Sequence, residues 1–133
     1  MERAPICSLV GVVTHGKGKG HTVGMPTANL SVAPGTPLPE EGVYITAAAI
    51  DGEDLVGVTN VGRRPSVDDE KRVTIETYFP DFSADLYGKE MTLHFYAYLR
   101  PTRAFSSLEE VKEQVERDAA AAMEYRKERR GKL

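Results

Sequence analysis

The sequence predicts a mainly β protein, an antiparallel barrel or tightly curled sheet with one C-terminal α-helix packed outside it. Three observations carry that reading. Most of the 133 residues fall into short runs with strand-like composition or two-residue alternation. Asp51-Gly52 stands between two such runs, a strong signal for a tight hairpin. From Ser106 onward the apolar period changes to three and four residues, the spacing of a helix.

In chain order, Cys7 to Thr14 reads as the first strand, although its alternation is weak. A glycine-rich basic stretch follows, and then Ala33 to Glu41, whose prolines mark a loop. Gly42 to Ile50 reads as the next strand, with Leu55 to Val61 returning beside it across the Asp51-Gly52 turn. Asp68-Asp69-Glu70-Lys71 is a charged turn. It leads into a strand from Arg72 to Tyr78, where Val73, Ile75 and Thr77 share one face and Glu76 lies on the other with Thr74 and Tyr78. The clearest strand is Met91 to Leu99: Met91, Leu93, Phe95, Ala97 and Leu99 alternate with Thr92, His94, Tyr96 and Tyr98. Ser106 with Glu109, or Ser107 with Glu110, can then form a capping box. Leu108, Val111, Val115, Ala119 and Ala122 supply the apolar stripe of the helix. Lys127, Arg129, Arg130 and Lys132 read as a solvated end whose charge complements the helix dipole.

Composition narrows the function. A chain of 133 residues, 41% hydrophobic and 28% charged, is one ordinary globular domain, residues 1–133. A net charge of −3 argues against a nucleic-acid coat, which needs many phosphate-neutralising cations. One cysteine makes no disulfide framework, no apolar run is long enough to span a membrane, and MERAPICSLV carries no signal pattern. The expectation is a cytoplasmic monomer with no nucleic-acid and no membrane partner. His15, His21 and His94 have no cysteine or histidine at zinc-site spacing.

The densest chemistry lies between Gly11 and Leu30. Gly16, Gly18, Gly20 and Gly24 let a backbone approach a ligand closely, and Lys17, Lys19 and His21 attract anions. The imidazole of His21 changes charge near neutrality, which makes it a pH-dependent phosphate contact. Thr27 and Asn29 then offer two neutral oxygens two residues apart, suited to a hard cation such as Mg²⁺. Two familiar phosphate loops fail here. In a P-loop alignment Gly18 stands where Ser or Thr should hold the metal, and a dinucleotide fingerprint finds its third glycine one place late. Prolines 26, 34, 37 and 39 also deny both the helix they require.

Read with later motifs, this region resembles the riboflavin kinases. The matching pieces are Gly16-Lys17-Gly18-Lys19-Gly20, Gly24-Met25-Pro26-Thr27-Ala28-Asn29, Gly42-Val43-Tyr44, Asn60-Val61-Gly62-Arg63-Arg64-Pro65, Glu76-Thr77, Asp85-Leu86-Tyr87-Gly88, and Leu99-Arg100-Pro101 through Phe105-Ser106-Ser107-Leu108-Glu109. They occur in the family's order from Gly11 to about Asp118. His21 departs from the pattern, since the family usually has Arg or Lys there. The resemblance implies a small closed Greek-key barrel of about six strands and transfer of the γ-phosphoryl group of ATP to the ribityl 5′-hydroxyl of riboflavin, giving FMN and ADP. The metal would be Mg²⁺, with Zn²⁺ or Mn²⁺ as open substitutes. The nucleotidyltransferase module that precedes this one in bifunctional bacterial relatives is absent from these 133 residues, so FAD synthesis is not expected.

The resemblance also implies roles. Glu76 would be the general base, Thr27 and Asn29 the metal ligands, and Gly16, Gly18, Gly20, His21 and Tyr87 the nucleotide contacts. Arg100, Arg103 and Phe105 would meet the flavin, whose broad apolar face and carbonyls suit an aromatic ring and planar guanidinium groups. Asn60 to Pro65 is expected to form a second loop near the site, with no role assigned to Arg63 or Arg64. Two rival readings exist: a flavin or nucleotide carrier or sensor on the same barrel, and an OB-like binder of single strands. Thr27, Asn29 and Glu76 together speak against the first, because carriage needs no base. The acidic charge and scattered aromatics speak against the second.

Overall fold

Alternation in the sequence becomes inside–outside alternation around a closed sheet. The computed structural model describes residues 5–14, 27–50, 52–65, 71–80, 86–102 and 105–131. Its elements are β1 (Cys7–Thr14), β2 (Ala28–Val32), β3 (Gly42–Ile50), β4 (Glu53–Pro65), β5 (Lys71–Tyr78), β6 (Glu90–Arg100) and α1 (Leu108–Gly131). Every strand pairing is antiparallel, and the order β1-β2-β5-β4-β3-β6 closes on itself. Strands β3, β4 and β5 run as a meander, and β6 returns to lie beside β3, which is a Greek key.

Two elements differ from the sequence reading. β2 is a strand of five residues to which the sequence reading gives no element. Its apolar positions, Ala28, Leu30 and Val32, point inward, but so short a run between a glycine-rich and a proline-rich stretch hardly registers as alternation. The segment from Asn60 to Pro65 is no loop either. It prolongs β4, paired residue for residue with β5 from Val58↔Tyr78 to Pro65↔Lys71. The expected β3–β4 hairpin is present: Ile50 pairs with Glu53, and Gly52 takes φ 84°, which suits glycine.

The interior is filled from every strand. Leu9, Leu93 and Phe95 are almost completely enclosed, each contributing about 1.5–3 kcal/mol of burial. Tyr44 packs edge-on against Phe95 and Tyr98, with centroids 5.2 and 5.3 Å away, while its hydroxyl donates to the Glu40 carbonyl at 2.7 Å. The same interior holds three threonines. Thr46, Thr59 and Thr77 form a hydroxyl chain across β3, β4 and β5, with Oγ1–Oγ1 distances of 2.8 and 2.7 Å. Beside it Gly57 is packed too closely for a side chain, since a Cβ there would lie 2.8 Å from the Thr77 methyl.

Outside the barrel, Val43, Ile45, Val56 and Val58 of β3 and β4 meet Ala122, Met123 and Tyr125 of α1. The helix therefore covers the outer face of the β3–β4 pair. Its start is capped as expected for the second alternative, with Glu110 N–H donating to Ser107 Oγ at 3.2 Å and the Glu110 carboxylate accepting from Ser106 N–H at 3.0 Å. The stripe is shifted, however. Leu108 is 52% exposed and Val111, Val115 and Ala119 are half-buried, whereas the enclosed residues of the seam are Asp118 and Ala122. Asp118 is buried because Arg100 grips it, donating from Nε and from Nη2 at 2.7 Å, and Gln114 adds a third donor. No helix among the described residues is long and apolar enough to cross a membrane.

Candidate active site

The barrel's register assembles the candidate site. Asn29 of β2 lies directly across from Glu76 of β5, and Glu76 lies directly across from Asn60 of β4. The row continues outward in both directions, to Thr14 of β1 beyond Asn29 and to Val43 and then Arg100 beyond Asn60. Burial shows which face this is. Ile75 and Thr77, the neighbours of Glu76, are enclosed at 3% and 1% exposure, so Glu76 itself points out of the barrel. Adjacent strands are about 4.8 Å apart, so Asn29 and Asn60 flank the carboxylate within roughly 10 Å of each other.

Local sequence explains the placement. β5 must put Val73, Ile75 and Thr77 inside, and a strand with that parity has no choice but to present Glu76 outward. In β2 the same rule puts Ala28 and Leu30 inside and turns Asn29 out. The Thr77 hydroxyl, bonded to Thr59, fixes β5 against β4 at the residue next to Glu76. Thr27 precedes β2 by one residue and is half-buried.

The other expected residues fall in three places. Tyr87 is 57% exposed on a turn held by Gly88 N–H to Val13 O at 2.9 Å, beside the end of β1. Gly88 there takes φ 82° and Leu86 is buried, so the turn is anchored while the ring faces outward. Arg100 closes the row on β6, yet its guanidinium is committed to Asp118, so it fastens α1 to the barrel. Phe105 is half-buried just ahead of the helix cap. Gly16, Gly18, Gly20, His21 and Arg103 lie outside the described residues.

Sequence reasoning missed Asn60. It falls in both the expected Leu55–Val61 strand and the expected Asn60–Pro65 loop, and only the strand pairing puts it on the neighbour position of Glu76. The Thr46–Thr59–Thr77 chain also escaped notice, because isolated threonines in strands carry no signal of which will meet.

Thr27 and Asn29 suit a divalent cation that shares its shell with phosphates, since both are neutral hard oxygens. Among the described residues there is no group of three or more His, Cys, Asp or Glu side chains that could hold a metal alone.

Comparison with known proteins fits this geometry. The family model for riboflavin kinase matches residues 5–126. The chain belongs to the riboflavin kinase family. Its similarity to members of the family is plain in curated relatives. It is 34% identical over 119 residues to the bifunctional riboflavin kinase/FMN adenylyltransferase of Bacillus subtilis, covering 88% of this chain and 38% of that protein. To the protein of the same name from Pseudomonas fluorescens it is 37% identical over 114 residues, covering 86% and 36%. The chain thus spans a little over a third of these relatives. Among solved structures, the riboflavin kinase of Trypanosoma brucei matches with a TM-score of 0.61 at 21% identity, over 89% of this chain and 75% of that one, a likeness of fold. A structure from Streptococcus pneumoniae described as a macrolide-efflux protein matches with a TM-score of 0.83 at 28% identity, over 90% of this chain and 39% of that one.

Proposed function

We propose that this domain is a riboflavin kinase, transferring the γ-phosphoryl group of ATP to the ribityl 5′-hydroxyl of riboflavin to give FMN and ADP. The observation that carries the reading is the cross-strand neighbourhood of Asn29 and Glu76, a hard-oxygen donor beside an outward carboxylate. Family membership supplies the substrate class.

Phosphoryl transfer needs a held triphosphate, neutralised charge and an oriented hydroxyl, with little covalent help from protein. The glycine-rich segment from Gly16 to Gly20, with His21 and Tyr87, is proposed to hold the nucleotide. Thr27 and Asn29 would hold a divalent cation, which supplies charge neutralisation at the phosphates. Neutral oxygen donors favour Mg²⁺ over Zn²⁺, whose usual partners are nitrogen and sulfur. Glu76 accepts the proton of the 5′-hydroxyl as that oxygen bonds to the γ-phosphorus and the bond to the bridging oxygen of ADP breaks. Phe105 and Arg103 are proposed to meet the isoalloxazine. Arg100, held by Asp118, would serve the flavin by fixing the segment between β6 and α1. The domain is further proposed to act as a monomer, since a closed barrel leaves no free edge strand for another copy to join.

Incubating purified protein with riboflavin and Mg-ATP and separating flavins by chromatography tests the proposal, with Glu76→Gln as control. FMN from the wild type and almost none from the variant is the expected result. Riboflavin retained without product would point instead to a carrier. Wild-type turnover by Glu76→Gln would remove the base and leave the kinase standing. Light scattering during gel filtration reads the oligomeric state.

A further inference from the structure

The row Asn29–Glu76–Asn60–Val43–Arg100 has a direction. On one side of Glu76 stands Asn29, in the segment proposed to hold metal and phosphate. On the other side stands Asn60, exposed on the outer face of β4. One step further the row goes dry: Val43 is 3% exposed, packed in the apolar cluster that α1 covers. At the far end Arg100 is occupied by Asp118. Asn60 is therefore the last exposed polar side chain between the carboxylate and the helix-covered face, on the side where Arg100 leads into the segment before α1.

What an amide can recognise there follows from its chemistry. Asn offers two N–H donors and an accepting oxygen. Phosphate oxygens only accept and would use half of that capacity, and the position proposed for the cation lies on the other side of Glu76, with Asn29. A polyol hydroxyl donates and accepts, and a chain of them matches a primary amide on both counts. An acceptor with its terminal hydroxyl at Glu76 and its apolar ring system towards the segment before α1 must lay its intervening hydroxylated chain across this position.

We propose that Asn60 binds the inner hydroxyls of the acceptor's polyol chain, making it a specificity residue for a polyhydroxylated acceptor. This rests on the riboflavin kinase reading and adds a contact to it. The side chain is exposed on a strand whose inward residues Thr59 and Val61 do the packing, so Asn60→Ala should fold normally.

The test pairs that variant with an altered acceptor, as a chemical double-mutant cycle. Wild type and Asn60→Ala are assayed with riboflavin and with a flavin carrying a 5-hydroxypentyl chain, which keeps the terminal alcohol and lacks the inner hydroxyls. Asn60→Ala should lower kcat/KM for riboflavin roughly tenfold, the size of a neutral hydrogen bond, and leave the KM for ATP within about twofold. On the hydroxypentyl flavin the two proteins should be equal. Riboflavin affinity by fluorescence quenching should fall in parallel. Equal losses on both acceptors would overturn the assignment, because Asn60 would then be acting through Glu76. A rise confined to the KM for ATP would overturn it as well, placing Asn60 on the phosphate side. Should the wild type form no FMN at all, the kinase reading fails before Asn60 is tested.

Discussion

Glu76 is half-exposed on a strand whose packing is done by Ile75 and Thr77, so its charge matters to chemistry more than to folding. Glu76→Gln should lower kcat by about 10²–10⁴-fold, the usual worth of a general base, with a melting temperature within a degree or two of wild type. A kinetic loss accompanied by a large drop in melting temperature would instead make it a structural residue. Cys7 behaves differently. Partial burial pushes its thiol above the ordinary 9.0, because desolvation disfavours the thiolate. The unfolded chain then gives up that proton first, so the stability linked to Cys7 is complete below about pH 9 and is lost as pH rises through the folded value. Urea melts at pH 8 and pH 10 should show a smaller alkaline loss in Cys7→Ala than in wild type. The outward direction of Glu76 was legible in the sequence, because three alternate side chains had to be inside. Its neighbours were not: register depends on partners far apart in the chain.

Among the elements, β5 and α1 are each held by a polar device within a mostly apolar setting. Thr59 links Thr46 to Thr77 in the interior, and Thr59→Val keeps the shape while leaving two buried hydroxyls without that partner. A loss of about 1–3 kcal/mol should appear in denaturant melts, with reduced activity because β5 carries Glu76. The helix depends on Asp118. Asp118→Ala strands the Arg100 guanidinium, itself only 21% exposed, and should cost on the order of 3 kcal/mol in the same measurement. Strand β6 could be read from its alternation as far as Phe95, beyond which a register shift against β3 sends Ala97 and Leu99 to the cluster under α1, and the helix cap could be read from Ser107 and Glu110. β2 could not, because five residues between a glycine-rich and a proline-rich segment give too short a pattern. The error over Asn60–Pro65 has a similar cause. Gly62 and Pro65 look like loop punctuation, yet both sit in a strand paired with β5.

At the scale of the whole molecule, the change of period at Ser106 and the Asp51-Gly52 hairpin foretold several strands and one outer helix. Closure was not written in those signals. It depends on β1 pairing with both β2 and β6, and such long-range pairings leave no local trace. The circuit is also uneven. Among the described residues β3 and β4 share nine register pairs, whereas β2 and β5 share two, Ala28↔Thr77 and Asn29↔Glu76. The proposed chemistry thus straddles the shortest stave joint of the cask. Such a joint should breathe at a cost well below global unfolding. Amide hydrogen exchange should accordingly be faster at residues 28–29 and 76–77 than along β3 and β4, and Mg-ATP with riboflavin should slow it. Substrates that bridge the two lips would then act as the missing hoop, and the empty domain would be a looser vessel than the loaded one.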